Sequence, residues 1–167
     1  MKKGFTLIEA LVAVSIFVSL MIFASLAFMS AIKAQRHNLA YQELLDQTSY
    51  VMEYMSRHLR MAKQAEDADC YSLDVGDTYK NPGNNSIEFY DQYNSCTKFF
   101  LEDNRLKKES GGDEFFITSP NLEVYQFEVA VNDDHQPRVS INLGIRGRAE
   151  TSIEIQTTVS QRDLKGI

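Results

Sequence analysis

The chain is poor in the residues that mark many catalytic and fibrous classes. Its 167 residues include only three prolines, eight glycines and two cysteines, which excludes collagen-like and low-complexity chains. The sequence contains no phosphate-binding loop, no dinucleotide-binding glycine motif and no G-x-S-x-G segment. His37, His58 and His135 are not spaced as metal ligands, and no C-x-x-C pair is present. The sequence therefore predicts no enzyme, no metal site and no cofactor.

Negative charge is scarce at the N-terminus and concentrated elsewhere. Residues 1–38 carry four basic side chains and one acidic side chain, a net charge of +3. Because the whole chain carries −6, the remaining residues carry −9. An acidic body repels phosphate backbones at long range, so we expect no direct nucleic-acid binding.

The longest segment with almost no charged residues lies near the N-terminus. Residues 5–32, FTLIEALVAVSIFVSLMIFASLAFMSAI, contain one charged residue, Glu9. A helix of this length spans about 42 Å, more than the ~30 Å of a hydrocarbon core. Lys2 and Lys3 precede it, and the positive-inside rule keeps them in the cytoplasm. We expect a single-pass segment in the cytoplasmic (inner) membrane with the N-terminus inside and the body exported.

A cleaved secretory signal, cut near Ala27, is the ordinary alternative. Its apolar region would be about 7–15 residues long, roughly half of what is found here. Glu9 is also out of place there, since a carboxylate in an apolar span costs about 2.5–3.5 kcal/mol even on insertion scales. A cut between Gly4 and Phe5 would expose an α-amino group one helical turn from Glu9. That ammonium, or the same group on a neighbouring chain, would compensate the carboxylate.

The N-terminal residues resemble a known processing signal. Residues 1–13, MKKGFTLIEALVA, are similar to the class III signal of type IV pilins and type II secretion pseudopilins. The resemblance implies that prepilin peptidase cuts after Gly4 and methylates the new N-terminal Phe5, and that Glu9 serves subunit assembly. The partners it implies are that peptidase, other pilins or pseudopilins, and inner-membrane assembly machinery. The mature chain would then enter an extracytoplasmic filament or pseudopilus.

The apolar segment is predicted to continue as a helix beyond the membrane. No glycine occurs between Gly4 and Gly76, and no proline before Pro82. The spacing predicts one helix over about residues 5–64, with one face on a globular body. The predicted face follows steps of four and three residues: Tyr41, Leu45, Thr48, Met52, Met55, Leu59 and Ala62, widened by Leu44, Val51 and Ala65.

The remaining residues predict a β-rich head. Residues 66–85 are rich in turn formers and predict an irregular connection. Alternating runs predict strands at 86–90, 97–101, 104–107, 114–118, 123–131, 138–145 and 151–159, with turns at 103–104, 111–113 and 132–135. Such alternation is typical of an antiparallel sheet packed on a helix, which gives an α+β class and agrees with the pilin fold that the resemblance implies. We expect a leader at 1–4, a membrane or filament-core helix at 5–32, its amphipathic continuation at 33–65 and the head at 66–167.

Cys70 and Cys96 are the only cysteines. In an exported body, an even pair flanking a connection predicts a disulfide. Closing that loop would stabilise the head by about 3–4 kcal/mol on the chain-entropy model.

Three short segments favour a minor subunit. Residues 54–60 (YMSRHLR), 117–120 (ITSP) and 157–163 (TTVSQRD) are similar to segments of minor pilins and J-type pseudopilins. Arg57 and Arg60 lie off the predicted apolar face, and a solvated surface explains them better than a binding role. A membrane-anchored binding ectodomain and a secreted hydrolase with an ordinary signal remain the alternatives from other classes.

Overall fold

The computed structural model describes residues 4, 6–66, 70–83, 85–132, 136–148 and 151–162. These residues contain one long helix, α1 (Leu7–Arg60), and eight strands. The strands are β1 (Tyr79–Lys80), β2 (Ser86–Tyr90), β3 (Cys96–Glu102), β4 (Arg105–Ser110), β5 (Asp113–Phe116), β6 (Glu123–Asn132), β7 (Arg138–Arg146) and β8 (Ser152–Ser160). The chain divides into two compact units, Met1–Leu39 and Ala40–Ile167.

In the unit Met1–Leu39, α1 exposes nearly all of its side chains. Its large apolar residues from Leu7 to Met29 are between 49% and 80% exposed. By length and composition alone, α1 is long and apolar enough to cross a membrane, as the sequence predicts.

In the unit Ala40–Ile167, α1 buries one face in the main core. The buried side chains are Leu44, Thr48, Val51, Met52, Met55 and Leu59. The prediction was wrong for Tyr41 and Leu45, which are 43% and 38% exposed. Leu44 is the first buried residue of the helix, so Tyr41 precedes the core, and Leu45 lies about 100° around the helix from Leu44.

The helix ends four residues before the predicted end. The N–H groups of Met61 and Ala62 bond three residues back, to His58 and Leu59, which tightens the last turn. Lys63 then leaves the helix and pairs with Tyr90, its N–H donating to the Tyr90 carbonyl at 3.0 Å. The helix therefore ends where the backbone of Lys63 pairs with the sheet instead.

The first five strands form one antiparallel sheet in the order β1-β2-β3-β4-β5. Asp103 and Asn104, both with positive φ (49° and 55°), make the tight turn between β3 and β4. Gly111 and Gly112 (φ 61° and 90°) make the next one. Strand β5 lies at the edge of this sheet, and all four of its residues are exposed.

The last three strands form a second antiparallel sheet, β6-β7-β8. The Val124 N–H donates to the Asn104 carbonyl at 2.8 Å, and the Asn81 amide donates to the Val129 carbonyl, so this sheet is bonded to the turns of the first. A bulge at Val124/Gln126 places the Tyr125 ring over Gly144, where a Cβ would come within 2.7 Å of it.

The predicted α+β arrangement of a long helix and antiparallel strands is confirmed. The strands divide into two sheets, however, and the segment 66–85 contains β1, which the sequence analysis treats as irregular. Tyr79 explains β1, because its side chain is buried and its hydroxyl donates to the Leu59 carbonyl at 2.6 Å. The predicted turn at 132–135 falls largely outside the described residues.

Candidate functional site at the N-terminus

The start of α1 is set by Thr6. The Glu9 N–H donates to Thr6 Oγ1 at 3.4 Å, and the Ala10 N–H donates to the Thr6 carbonyl at 3.2 Å. Thr6 is therefore the N-cap, and Glu9 is the third residue of the helix. The pair has the T-x-x-E spacing of a capping box, in which a Glu or Gln at the third position supports the cap.

Gly4 precedes this cap and has no steric role that the structure reveals. A Cβ added to Gly4 would meet no atom within 4 Å among the described parts of the chain. The fold therefore tolerates a larger residue at this position, and a requirement for glycine would come from another molecule. The predicted site residue Phe5, like leader residues 1–3, lies outside the described residues.

Glu9 is exposed on the first turn of α1. A carboxylate there interacts favourably with the positive end of the helix dipole. Among the residues described, no cation lies within ion-pair distance of Glu9. Within a single chain, the carboxylate has a helix-capping environment and solvent access.

Three serines on the helix surface beyond Glu9 bond within the helix. The hydroxyls of Ser15, Ser19 and Ser25 each donate at 2.8 Å to a backbone carbonyl three or four residues back. A helix that bonds its hydroxyls internally can face hydrocarbon or another apolar helix without unsatisfied donors. At these three serines, the apolar surface therefore carries no unsatisfied hydroxyl donor.

The predicted cysteine pair lies in the head. Cys70 and Cys96 form a disulfide with their Cα atoms 5.3 Å apart. It belongs to a small separate core made of Ala65, Cys70 and Leu73. The disulfide therefore ties the connection after α1 to the start of β3.

A buried carboxylate that the sequence analysis missed supports the same connection. Glu88 is 2% exposed and accepts bonds from the Ser72 N–H (3.1 Å) and the Ser72 hydroxyl (2.5 Å). Lys98 on the neighbouring strand lies 3.1 Å from its other oxygen. A glutamate inside the short apolar strand S-I-E-F-Y was the available signal, because such a group is retained only when it is paired.

Two of the three segments that favour a minor subunit meet in the structure. The Arg162 N–H donates to the Arg60 carbonyl at 3.0 Å, and the Gln161 amide donates to the Ala62 carbonyl at 3.0 Å. The C-terminal segment thereby caps the last carbonyl of α1 and the carbonyl of Ala62 just beyond it. The Arg57 side chain instead pairs with Glu53 at 2.7 Å, and both are 72% exposed.

The family comparison agrees with the N-terminal geometry. Residues 1–28 match the family described as the prokaryotic N-terminal methylation motif. The match supports a type IV pilin-like precursor of the kind that prepilin peptidase processes, with a structural rather than an enzymatic role. Comparison with curated proteins and with solved structures gave no match.

Proposed function

We propose that this chain is a pilin-type subunit, cut by prepilin peptidase between Gly4 and Phe5, methylated on Phe5 and assembled through its N-terminal helix. The observation that supports it best is the methylation motif at residues 1–28, continuous with an apolar helix that begins at Leu7. Gly4, which the fold does not require, precedes the cap, so the bond to be cut lies outside the helix. A peptidase can then bind it without unwinding a turn.

Glu9 is the proposed assembly residue. Cutting creates an α-ammonium beside the helix start, and neighbouring subunits with parallel helices would bring a second one near. In an apolar environment, each charged group alone carries a desolvation cost, and pairing the carboxylate with an ammonium offsets that cost. Glu9 is exposed and has no ionic partner among the described residues of its own chain, so its carboxylate is accessible to a group on another subunit.

Within this class, we place the chain as a minor pilin or J-type minor pseudopilin at or near the tip or initiation complex. The support is the similarity of segments 54–60, 117–120 and 157–163, together with the contact between the first and last of them. The filament would be a type IV pilus or a type II secretion pseudopilus. Its other subunits and the inner-membrane assembly machinery are the proposed partners.

The alternative is a membrane-anchored ectodomain that never assembles. The Thr6–Glu9 cap favours it, because capping alone explains a glutamate at the third helical position. In that case the acid needs no partner, and Met1 stays in place.

Intact-mass analysis of the membrane-extracted protein tests processing. Our proposal requires a chain beginning at Phe5 and carrying one extra methyl group. An anchor retains residues 1–4, and a secreted hydrolase begins near residue 28. Either of these masses would contradict the proposal.

Two substitutions at Glu9 separate assembly from capping. Glu9→Gln keeps a side chain suited to the third position of a capping box and removes the charge, whereas Glu9→Ala removes both. We expect both variants to be inserted and cut, yet to cross-link poorly to partner subunits. Thr6→Ser, which keeps the cap and the charge, is the matched control and should assemble normally. Normal assembly of Glu9→Gln would assign Glu9 to capping and leave α1 as an anchor.

A further inference from the structure

His58 lies where the end of α1 packs on the five-stranded sheet. It is half-buried, with its ring centroid 4.3 Å from that of Tyr54 and 6.0 Å from that of Phe99. Tyr54 is one turn back on the helix, and Phe99 is in β3. The imidazole is therefore held between the helix and the sheet by two aromatic rings.

The hydrogen bonds of His58 select one neutral tautomer. Nδ1 lies 2.8 Å from the Tyr54 carbonyl oxygen, which only accepts, so Nδ1 carries the proton. Nε2 lies 3.1 Å from Lys108 Nζ. The ammonium donates to the free lone pair of Nε2, and this bond exists only while the ring is uncharged.

Lys108 connects this ring to the edge of the sheet. Its residue is 8% exposed, and its Nζ lies 5.6 Å from the Tyr54 ring centroid and 5.8 Å from that of Phe115. Phe115 pairs with Lys108 across β4 and β5. The His58–Lys108 bond therefore joins α1 to the β4–β5 hairpin, whose outer strand is exposed.

The charges around His58 oppose its protonation. Burial lowers the pKa of His58 most strongly, and the cations Lys108 and Arg57 lower it as well. The Tyr54 carbonyl and Asp91 raise the pKa of His58 but do not outweigh these effects. An imidazolium here would direct a second N–H at an ammonium 3.1 Å away.

We infer that the His58–Lys108 contact is a pH-sensitive latch that releases the β4–β5 hairpin from the helix on acidification. When His58 binds a proton, Lys108 loses its acceptor Nε2 and is repelled, and only the long 3.5 Å bond from Nζ to the Tyr54 hydroxyl remains. Its side chain then leaves the aromatic cage of Tyr54 and Phe115. The edge strand, with Phe115 and Phe116 already 45% and 38% exposed, is freed with it.

Proton NMR and amide exchange on the full chain in detergent micelles test this. We expect His58 to titrate below the ordinary histidine pKa of about 6.5. Corrected for intrinsic exchange, the β4–β5 amides should exchange up to tenfold faster for each pH unit lost below that value, until His58 itself is protonated. The corrected exchange rates of the β6–β8 amides should not change over this range. A His58 midpoint at or above about 6.5, or parallel exchange in the two sheets, would overturn the latch.

Substitutions provide a second readout. His58→Gln does not titrate, so it should remove the pH dependence of hairpin exchange, whereas His37→Gln should leave it intact. Lys108→Met removes the facing cation and should raise the His58 midpoint. Its control is Lys107→Met, because Lys107 lies on the opposite face of β4 and pairs with Glu102 and Glu114. An unchanged His58 midpoint in Lys108→Met would refute the proposal even if His58→Gln failed to fold.

Discussion

The two units of the chain satisfy their polar groups over different distances. In Met1–Leu39, the hydroxyls of Ser15, Ser19 and Ser25 bond within about one helical turn and the apolar side chains are exposed. In Ala40–Ile167, polar groups also bond across the fold, over 16 residues for Ser72 and Glu88 and over 99 for Gln161 and Ala62. The first unit leaves its chemistry available to other molecules, whereas the second uses it to define one tertiary structure.

This difference predicts how substitutions behave in each unit. Changes in the first should alter processing and assembly while leaving the head intact. Changes in the second should alter stability while leaving processing intact.

The largest effect is expected at Gly4. Gly4→Leu should leave the precursor uncut, because a side chain would obstruct the peptidase, whereas a Cβ at this position meets no atom among the described residues. Intact-mass analysis of membrane extracts measures the cut, and thermal unfolding of the head should not change. Normal maturation of Gly4→Leu would remove the main support for a class III signal.

The next effect is expected at the disulfide. Replacing Cys70 and Cys96 together by serine should lower the free energy of unfolding by about 3–4 kcal/mol, by enlarging the unfolded ensemble. Denaturant unfolding measures this, and cutting after Gly4 should proceed as before. In the unmodified protein, alkylation without reductant should label neither cysteine. Free thiols in freshly isolated protein would show that the disulfide does not form in the cell.

The sequence predicts local patterns well because alternation and turn chemistry are local. The predicted 86–90 coincides with β2, and the 123–131 and 138–145 segments differ from β6 and β7 by one residue each. Strand β1 was not predicted because two residues carry no period. Its pairing with β2 and the bond from the Tyr79 hydroxyl to the Leu59 carbonyl are long-range contacts.

The N-terminal motif could be identified from the sequence because its residues are contiguous. Gly4 and Glu9 follow from a motif of a few residues that a peptidase and partner helices would recognise. The pairs Glu88–Ser72 and His58–Lys108 were not predictable, since they join residues 16 and 50 positions apart. Their existence depends on strand register, which composition and periodicity do not specify.

A smaller loss is expected at Gly144. Gly144→Ala puts a Cβ within 2.7 Å of the Tyr125 ring and must displace it, together with its 3.0 Å bond to Glu154. We expect a loss of about 1–3 kcal/mol in denaturant unfolding, typical of overpacking. In a Tyr125→Ala background, the same substitution should cost much less. An equal cost in both backgrounds would place the strain in the backbone of β7.

The smallest effect is expected at Arg57, and it distinguishes a solvated surface from a binding role. Its ion pair with Glu53 has the (i, i+4) spacing, and both side chains are 72% exposed, so the pair contributes about 0.5 kcal/mol or less. Arg57→Ala and the matched Glu53→Ala should therefore lower stability equally and slightly. If Arg57 only faces water, both variants should also co-purify with partner pilins at normal levels. A loss of co-purification in Arg57→Ala alone would show that its guanidinium meets a partner and that segment 54–60 serves assembly. The second unit would then also depend on other molecules, as the first unit does.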